Sequence, residues 1–226
     1  MHRFFIENNI AENSKLKLPE EILRQIKNVL KIKRGEKIAL FDGSGHDFIS
    51  EFSGEDYVSI SEKVFNRREP ERQVFLFQSI LKKDKMEWIF QKGTEAGVYE
   101  FIPVLSSRSV KKDFNLPRAK KIIKEASEQS GRGCVPKVRE IMGFDEALEF
   151  VQKERITGII ADPNSKRHIL EAMKEPKTAL FIGPEGGFTE EEVAEAKECA
   201  FKAYSLGRLN LRSESAALVA AWVVAQ

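Results

Sequence analysis

The chain of 226 residues carries 37 basic and 35 acidic side chains, a formal net charge of +2, with 42% hydrophobic and 32% charged residues. Such a length holds one large or two small domains with a substantial core. The composition excludes a disordered chain, and the balanced charge gives no sign of a polyanion-binding tail.

In chain order, the opening MHRFFIENN lacks a long apolar core and a cleavage motif, so no signal peptide is expected. HRFFIE starts a strand. A helix is predicted after Pro19, with Ile22, Leu23, Ile26 and Leu30 at helical spacing. EKIALFDGSGHDFISEFS reads as a hairpin turning at DGSG, and YVSISEKVF alternates as a further strand. The segment NRREPERQ (66–73) is charged and contains a proline, which sets an expected boundary between domains 1–69 and 70–226.

From residue 73 the pattern becomes strand–helix–strand. QVFLFQSI precedes a helix over DKMEWIFQKGTEAG, then FIPVL, then the helix PRAKKIIKEASEQSG with its proline in the first turn. VPKVRE leads into the helix FDEALEFVQK, and GIIAD, ALFIG and AYSLG are short apolar strands, each expected to feed a helix. Repeated units of this kind imply an α/β fold with a parallel sheet. Ligands on such sheets sit outside the carboxyl ends of the strands. That places the expected site at ADPNS (161–165), GPEGG (183–187) and LGRLNLRSE (206–214). Residues 82–139 hold 14 basic and 7 acidic side chains, which reads as a nucleic-acid footprint or as solvated helix faces.

The loop FIGPEGGFTEEE (181–192) has an acid, Glu185, at its centre. Thr189-Glu190-Glu191-Glu192 has the form of a capping box, so a helix is expected to begin at Thr189. Its glutamates occupy the place a phosphate would take at a helix N-terminus. There is no GK[ST] and no GxGxxG, which excludes a P-loop and a Rossmann site. The loop offers close backbone approach without anion affinity. It is therefore a tight structural turn or a seat for a neutral or cationic ligand such as S-adenosylmethionine. The last helix is apolar all round and rich in alanine, so it is expected to be enclosed by its own domain, a second subunit, or both. Its apolar run AALVAAWVVA (216–225) is about half of the roughly 20 residues a membrane span needs. No membrane association is expected, and the expected location is cytoplasmic. Cys134 and Cys199 lack CxxC spacing and the three histidines are scattered, so no metal is expected.

GPEGGFTEEEV and LGRLNLRSESAA together resemble the knot loops of SPOUT methyltransferases of the RsmE type. HRFF, LFDGSG, KKDKMEWIFQKGTEAGV, SSRSV and KEASEQSGRGCVP follow in that family's order. The third loop departs from the family pattern: the first arginine is displaced to Arg208 or lost, Asn210 stands at an apolar position, and serines replace threonines. The resemblance implies a PUA-like β-barrel RNA-binding domain over 1–69. It also implies a SPOUT domain over 70–226 with a C-terminal trefoil knot, and a homodimer. The implied activity is S-adenosylmethionine-dependent methylation of N3 of a uridine in 16S ribosomal RNA within the 30S subunit. Implied cofactor contacts are Ile182, Gly183, Gly186, Gly187, Leu206, Gly207, Leu211 and Ser213. For RNA the candidates are Arg3, Lys82, Lys85, Lys92, Arg108 and Arg132. Arg212 is the candidate for stabilising charge on the uracil oxygens. Glu185 or Glu214 is the candidate base, or else a partner that orients Arg212 or caps a helix. Alternatives are a SPOUT enzyme acting on another RNA such as tRNA, a non-catalytic RNA-binding ribosome-assembly factor, and a nucleotide-binding α/β enzyme of another class.

Overall fold

A computed structural model describes residues 1–172 and 175–226. They form two compact units, residues 1–69 with 127–135, and residues 70–126 with 136–226.

The first unit is built on an open five-stranded sheet, β1 (Arg3–Phe5), β2 (Lys15–Lys17), β3 (Lys37–Phe41), β4 (His46–Phe52) and β5 (Tyr57–Phe65), in the order β1-β3-β4-β5-β2. β1 joins β3 in parallel and the other pairs are antiparallel. The predicted helix after Pro19 is α1 (Glu20–Arg24), which widens into π turns over Gln25–Leu30 and stops at Lys31 in left-handed conformation. Its buried Ile22 and Ile26 join Phe4, Ile38, Leu40, Phe48, Phe52 and Val58 in the core.

Residues 127–135, counted by the sequence reading with the second domain, pack with this unit through a polar cluster. Glu69 accepts from Arg132 Nε at 3.0 Å and from the backbone N–H groups of Gly133 and Cys134 at 2.6 and 3.2 Å. Arg3 donates to Asp47 at 2.5 Å and to the Arg132 carbonyl at 2.9 Å, while Asn66 donates to the Gly131 carbonyl. Burial tends to raise the Glu69 pKa, but the Arg132 hydrogen bond and charge outweigh it and leave the carboxyl below its ordinary value. Burial pushes the Cys134 thiol up to about 11, which keeps it protonated near neutral pH.

The second unit carries an all-parallel sheet of seven strands. These are β6 (Gln73–Ser79), β7 (Val98–Leu105), β8 (Lys137–Val138), β9 (Met142–Gly143), β10 (Thr157–Ala161), β11 (Lys177–Ile182) and β12 (Lys202–Tyr204). The order is β12-β10-β11-β6-β7-β8, with β9 also on β7. β6 and β11 are apolar on both faces, as strands covered from two sides must be. Phe77 stacks on Phe181 with ring centroids 4.4 Å apart, and Phe144 and Phe201 meet Phe181 edge-on. Such ring pairs are each worth about 0.5–1.5 kcal/mol beyond their burial.

The helices are α2 (Lys83–Glu95), α3 (Leu116–Ser130), α4 (Phe144–Lys153), α5 (Glu190–Glu198) and α6 (Ser213–Ala225). α3 runs from the second unit into the 127–135 segment of the first. Among the described residues β10 feeds a short 3-10 turn, Ile169–Glu171, and not the helix expected after it. No helix among the described residues is long and apolar enough to cross a membrane.

Candidate functional site

Three parallel neighbours, β12, β10 and β11, release their loops on the same edge of the sheet. Residues 161–164, 182–187 and 206–213 converge there around a cleft of about 440 Å3. All eight expected cofactor contacts line it: Ile182, Gly183, Gly186, Gly187, Leu206, Gly207, Leu211 and Ser213. The sequence reading named the ADPNS loop but no residue in it, and the structure adds Asp162, Asn164 and Tyr204. The signal was present: ADPNS follows an apolar strand just as GPEGG does.

The lining holds two carboxylates, Asp162 and Glu185, and no basic side chain. Glu185 is ion-paired with Lys85 at 2.9 Å, so Asp162 is the lining carboxylate that leaves negative charge facing the cleft. The glycines do two different jobs. A Cβ on Gly183 would stand 3.0 Å from the Phe188 nitrogen and 3.1 Å from the Gly187 carbonyl carbon, so this glycine lets the loop close on itself. Gly187 has φ +68° and nothing within 4 Å of where its Cβ would stand, so it leaves the cleft open.

The loop is braced from outside. Thr189 caps α5 as expected: its hydroxyl accepts from Glu192 N at 3.1 Å, and Glu192 Oε2 accepts from Thr189 N at 2.8 Å. Glu192 Oε1 also accepts from Ser107 N at 2.7 Å, and Arg108 Nη1 donates to the carbonyls of Gly186 at 2.8 Å and Phe188 at 3.3 Å. The buried last glutamate of the acidic run therefore ties the loop after β7 to the glycine loop.

The candidate acid–base groups are held by a lysine. Lys85, in the first turn of α2, sits 2.9 Å from Glu185 and 3.5 Å from Glu214. The Glu185 hydrogen bond, ahead of the Coulomb contributions of both glutamates, raises the Lys85 pKa. Partial burial alone would raise Glu185, but its hydrogen bond to Lys85 prevails and the carboxyl falls below its ordinary value. A general base working near neutral pH needs the opposite shift. In this arrangement Glu185 is an ionised partner of Lys85 at the lip of the cleft. Glu214 Oε2 is buried, with Lys85 as its ion-pair partner and no hydrogen bond. Arg212 caps the N-terminus of α6 between two cleft residues; it is exposed and makes no ion pair among the described residues.

The expected RNA contacts divide. Arg3 and Arg132 are corrected: both are engaged by partly buried carboxylates inside the first unit, with side chains only 8% and 5% exposed. Lys85 belongs to the cleft. Lys92 pairs with Glu95 on its own helix at 2.8 Å. Lys82 and Arg108 are exposed. Among the described residues no group of three His, Cys, Asp or Glu side chains is gathered that would hold a metal ion.

A parallel α/β sheet whose strand-end loops converge on a cleft of glycines, apolar side chains and a few polar groups suits a small-ligand-binding domain. The chain belongs to the family of RNA methyltransferase domains, whose family model matches residues 67–225. Beyond that domain, it is similar over nearly its whole length to ribosomal RNA small subunit methyltransferase E of Bacillus subtilis, 33% identical over 97% of this chain and 94% of the relative. The enzyme of the same name from Mesomycoplasma hyopneumoniae is 30% identical, with 96% of each chain covered. The crystal structure of ribosomal RNA small subunit methyltransferase E from Neisseria gonorrhoeae bound to S-adenosyl methionine superposes with a TM-score of 0.91. It is 34% identical and is covered over 95% of its length by 98% of this chain.

Proposed function

We propose that this chain transfers the methyl group of S-adenosylmethionine to N3 of a uridine in 16S ribosomal RNA, acting in the cytoplasm on the 30S subunit. The observation that carries the reading is the cleft itself: main chain from three loops, two carboxylates and no basic lining residue, in a chain whose Neisseria relative was solved with that donor. The residues present fit it. Ile182, Leu206, Leu209 and Leu211 supply apolar packing for an adenine, Gly187 leaves room, and Asp162 favours a cationic end.

When bound, S-adenosylmethionine supplies an electrophilic methyl group. The chain's own task is the uracil. Its N3 carries a proton and is a poor nucleophile until that proton leaves. The Arg212 guanidinium, exposed next to the buried Ser213 and without an ion-pair partner among the described residues, takes up charge on O2 or O4 and so favours the deprotonated ring. Lys85 holds Glu185 ionised and in place at the lip of the cleft as an ion pair. The exposed Lys82 and Arg108 face the RNA, and the first unit adds a PUA-like RNA-binding surface. The target base leaves its stack to react.

We further propose that residues 183–213 close a trefoil knot and that the protein works as a homodimer. The knot is supported by the third loop lying on the second, where the Ser213 hydroxyl donates to the Gly183 carbonyl at 2.5 Å. The dimer is supported by α6. Its alanines 216, 217, 220 and 221 are buried, but Val219 and Trp222 are 41% and 57% exposed, with Trp88 of α2 at 37%. An aromatic left this bare beside an exposed valine on the same helix calls for cover. Trp222→Glu is expected to halve the mass seen by light scattering. A wild-type monomer, or a variant that stays dimeric, would remove the α6 face as the contact.

The function is tested by incubating the protein with labelled donor and 30S subunits, naked 16S RNA or tRNA, then mapping the modified nucleoside. The expected product is N3-methyluridine in 16S RNA. Label confined to tRNA would move the reading to another substrate, and absence of label in all three would overturn it.

A further inference from the structure

Gln78 is the penultimate residue of β6, where the order of the sheet reverses, since the chain leaves β6 toward β7 on one side and returns on the other to place β11 against it. The register sets Gln78 opposite Ile182, immediately before the glycine loop. Its side chain does not line the cleft, and the residue is 2% exposed. Nε2 donates to the Ser79 carbonyl at 2.9 Å and to Ser213 Oγ at 3.0 Å, and Ser213 Oγ donates to the Gly183 carbonyl at 2.5 Å.

The direction of this relay is fixed. A carbonyl only accepts, so the single proton of Ser213 goes to Gly183 and its oxygen must receive from Gln78. The amide therefore presents its nitrogen to both partners. Its Oε1 is buried with no hydrogen-bond partner among the described residues. A buried acceptor left without a partner is destabilising, and an apolar side chain of similar size would avoid it. Stability alone gives no reason for a glutamine at this strand end; the relay does.

We propose that Gln78 is a positioning residue for the methyl-donor cleft: through Ser213 it sets the spacing between the second loop at Gly183 and the third loop at the start of α6. This rests on the cleft being the S-adenosylmethionine site. One consequence is that Gln78 acts on donor affinity and not on RNA affinity, although it touches neither.

The test is calorimetric titration of the full-length protein with S-adenosylmethionine, for wild type, Gln78→Leu, Gln78→Glu, Ser213→Ala and the Gln78→Leu/Ser213→Ala double variant. Kinetics and thermal melts accompany it. Each single variant is expected to raise the donor Kd about five- to tenfold, the size of one hydrogen-bonded link. The double variant is expected to be no worse than the weaker single, because both remove the same link. Gln78→Glu is expected to match Gln78→Leu, since a carboxylate draws the Ser213 proton away from Gly183. In the two Gln78 variants KM for the donor follows Kd, while KM for RNA stays near wild type. Additive effects, wild-type Kd in Ser213→Ala or Gln78→Leu, or a fall in melting temperature with no change in Kd would each overturn the proposal. Ser213→Ala probes the link from its far end, so a Gln78 variant that fails to fold does not remove the test. Wild-type protein that binds no S-adenosylmethionine would overturn the functional reading, and this one with it.

Discussion

Arg212→Ala is expected to lose about a hundred- to a thousandfold in kcat, roughly 2.7–4 kcal/mol, the cost of removing one preorganised donor to a developing oxyanion. The donor Kd is expected to stay within about twofold of wild type. The argument starts from the backbone. Arg212 is the N-cap of α6, with φ −64° and ψ 151°, and contributes no side-chain cap bond that alanine would forfeit. Its neighbours are anchored independently: Leu211 lines the cleft, and Ser213 is held by Gln78 and Gly183. Truncation therefore leaves the pocket in place and removes only a guanidinium that has no ion-pair partner among the described residues. Arg212→Lys keeps the charge but not the planar fork, and is expected to fall between the two. Single-turnover transfer at saturating donor, with calorimetry alongside, separates the outcomes. Unchanged turnover would remove Arg212 from the chemistry. A matching loss of donor affinity would make it part of the pocket instead.

The sequence revealed elements wherever local pattern and burial agree. YVSISEKVF is β5, FDEALEFVQK is α4, and the threonine before the acidic run caps α5, because each carries its own period or cap. β2 was invisible: Leu16 between two lysines has no pattern, and only its pairing with β5 makes it a strand. The cleft loops were legible for the same local reason, each being a glycine- or asparagine-bearing turn after an apolar run. The side-chain roles were not. Arg3 and Arg132 look in sequence like Lys82 and Arg108, and what buries them is Asp47 and Glu69, more than 40 residues distant in the chain. Lys85 reads as part of a basic stretch until α2 brings it to Glu185 and Glu214. The last helix, apolar all round, was expected to be enclosed; folding covers its alanines and leaves Trp222 outside.

Gly187→Val is expected to weaken S-adenosylmethionine binding by two orders of magnitude or more, and the comparison with Gly187→Ala and Gly183→Ala says why. At φ +68° any side chain on residue 187 strains the backbone, by about 1–2 kcal/mol. In a chain of this length that corresponds to a fall in melting temperature of about 2–8 °C. Both substitutions at 187 meet that cost. They differ in what projects into the space where no atom lies within 4 Å of the Cβ position. A methyl group fills little of it, while the branched isopropyl group takes ligand volume. Gly183→Ala works by another route. Its Cβ would press on the Phe188 and Gly187 backbone, forcing the loop open and dislodging the carbonyl that Ser213 holds. It is expected to lose donor affinity and stability together. Calorimetry beside thermal melts resolves the three patterns. Normal affinity in Gly187→Val would reduce residues 183–187 to a turn. A full loss already present in Gly187→Ala would trace to backbone strain, and the open space at residue 187 would no longer mark where the donor sits.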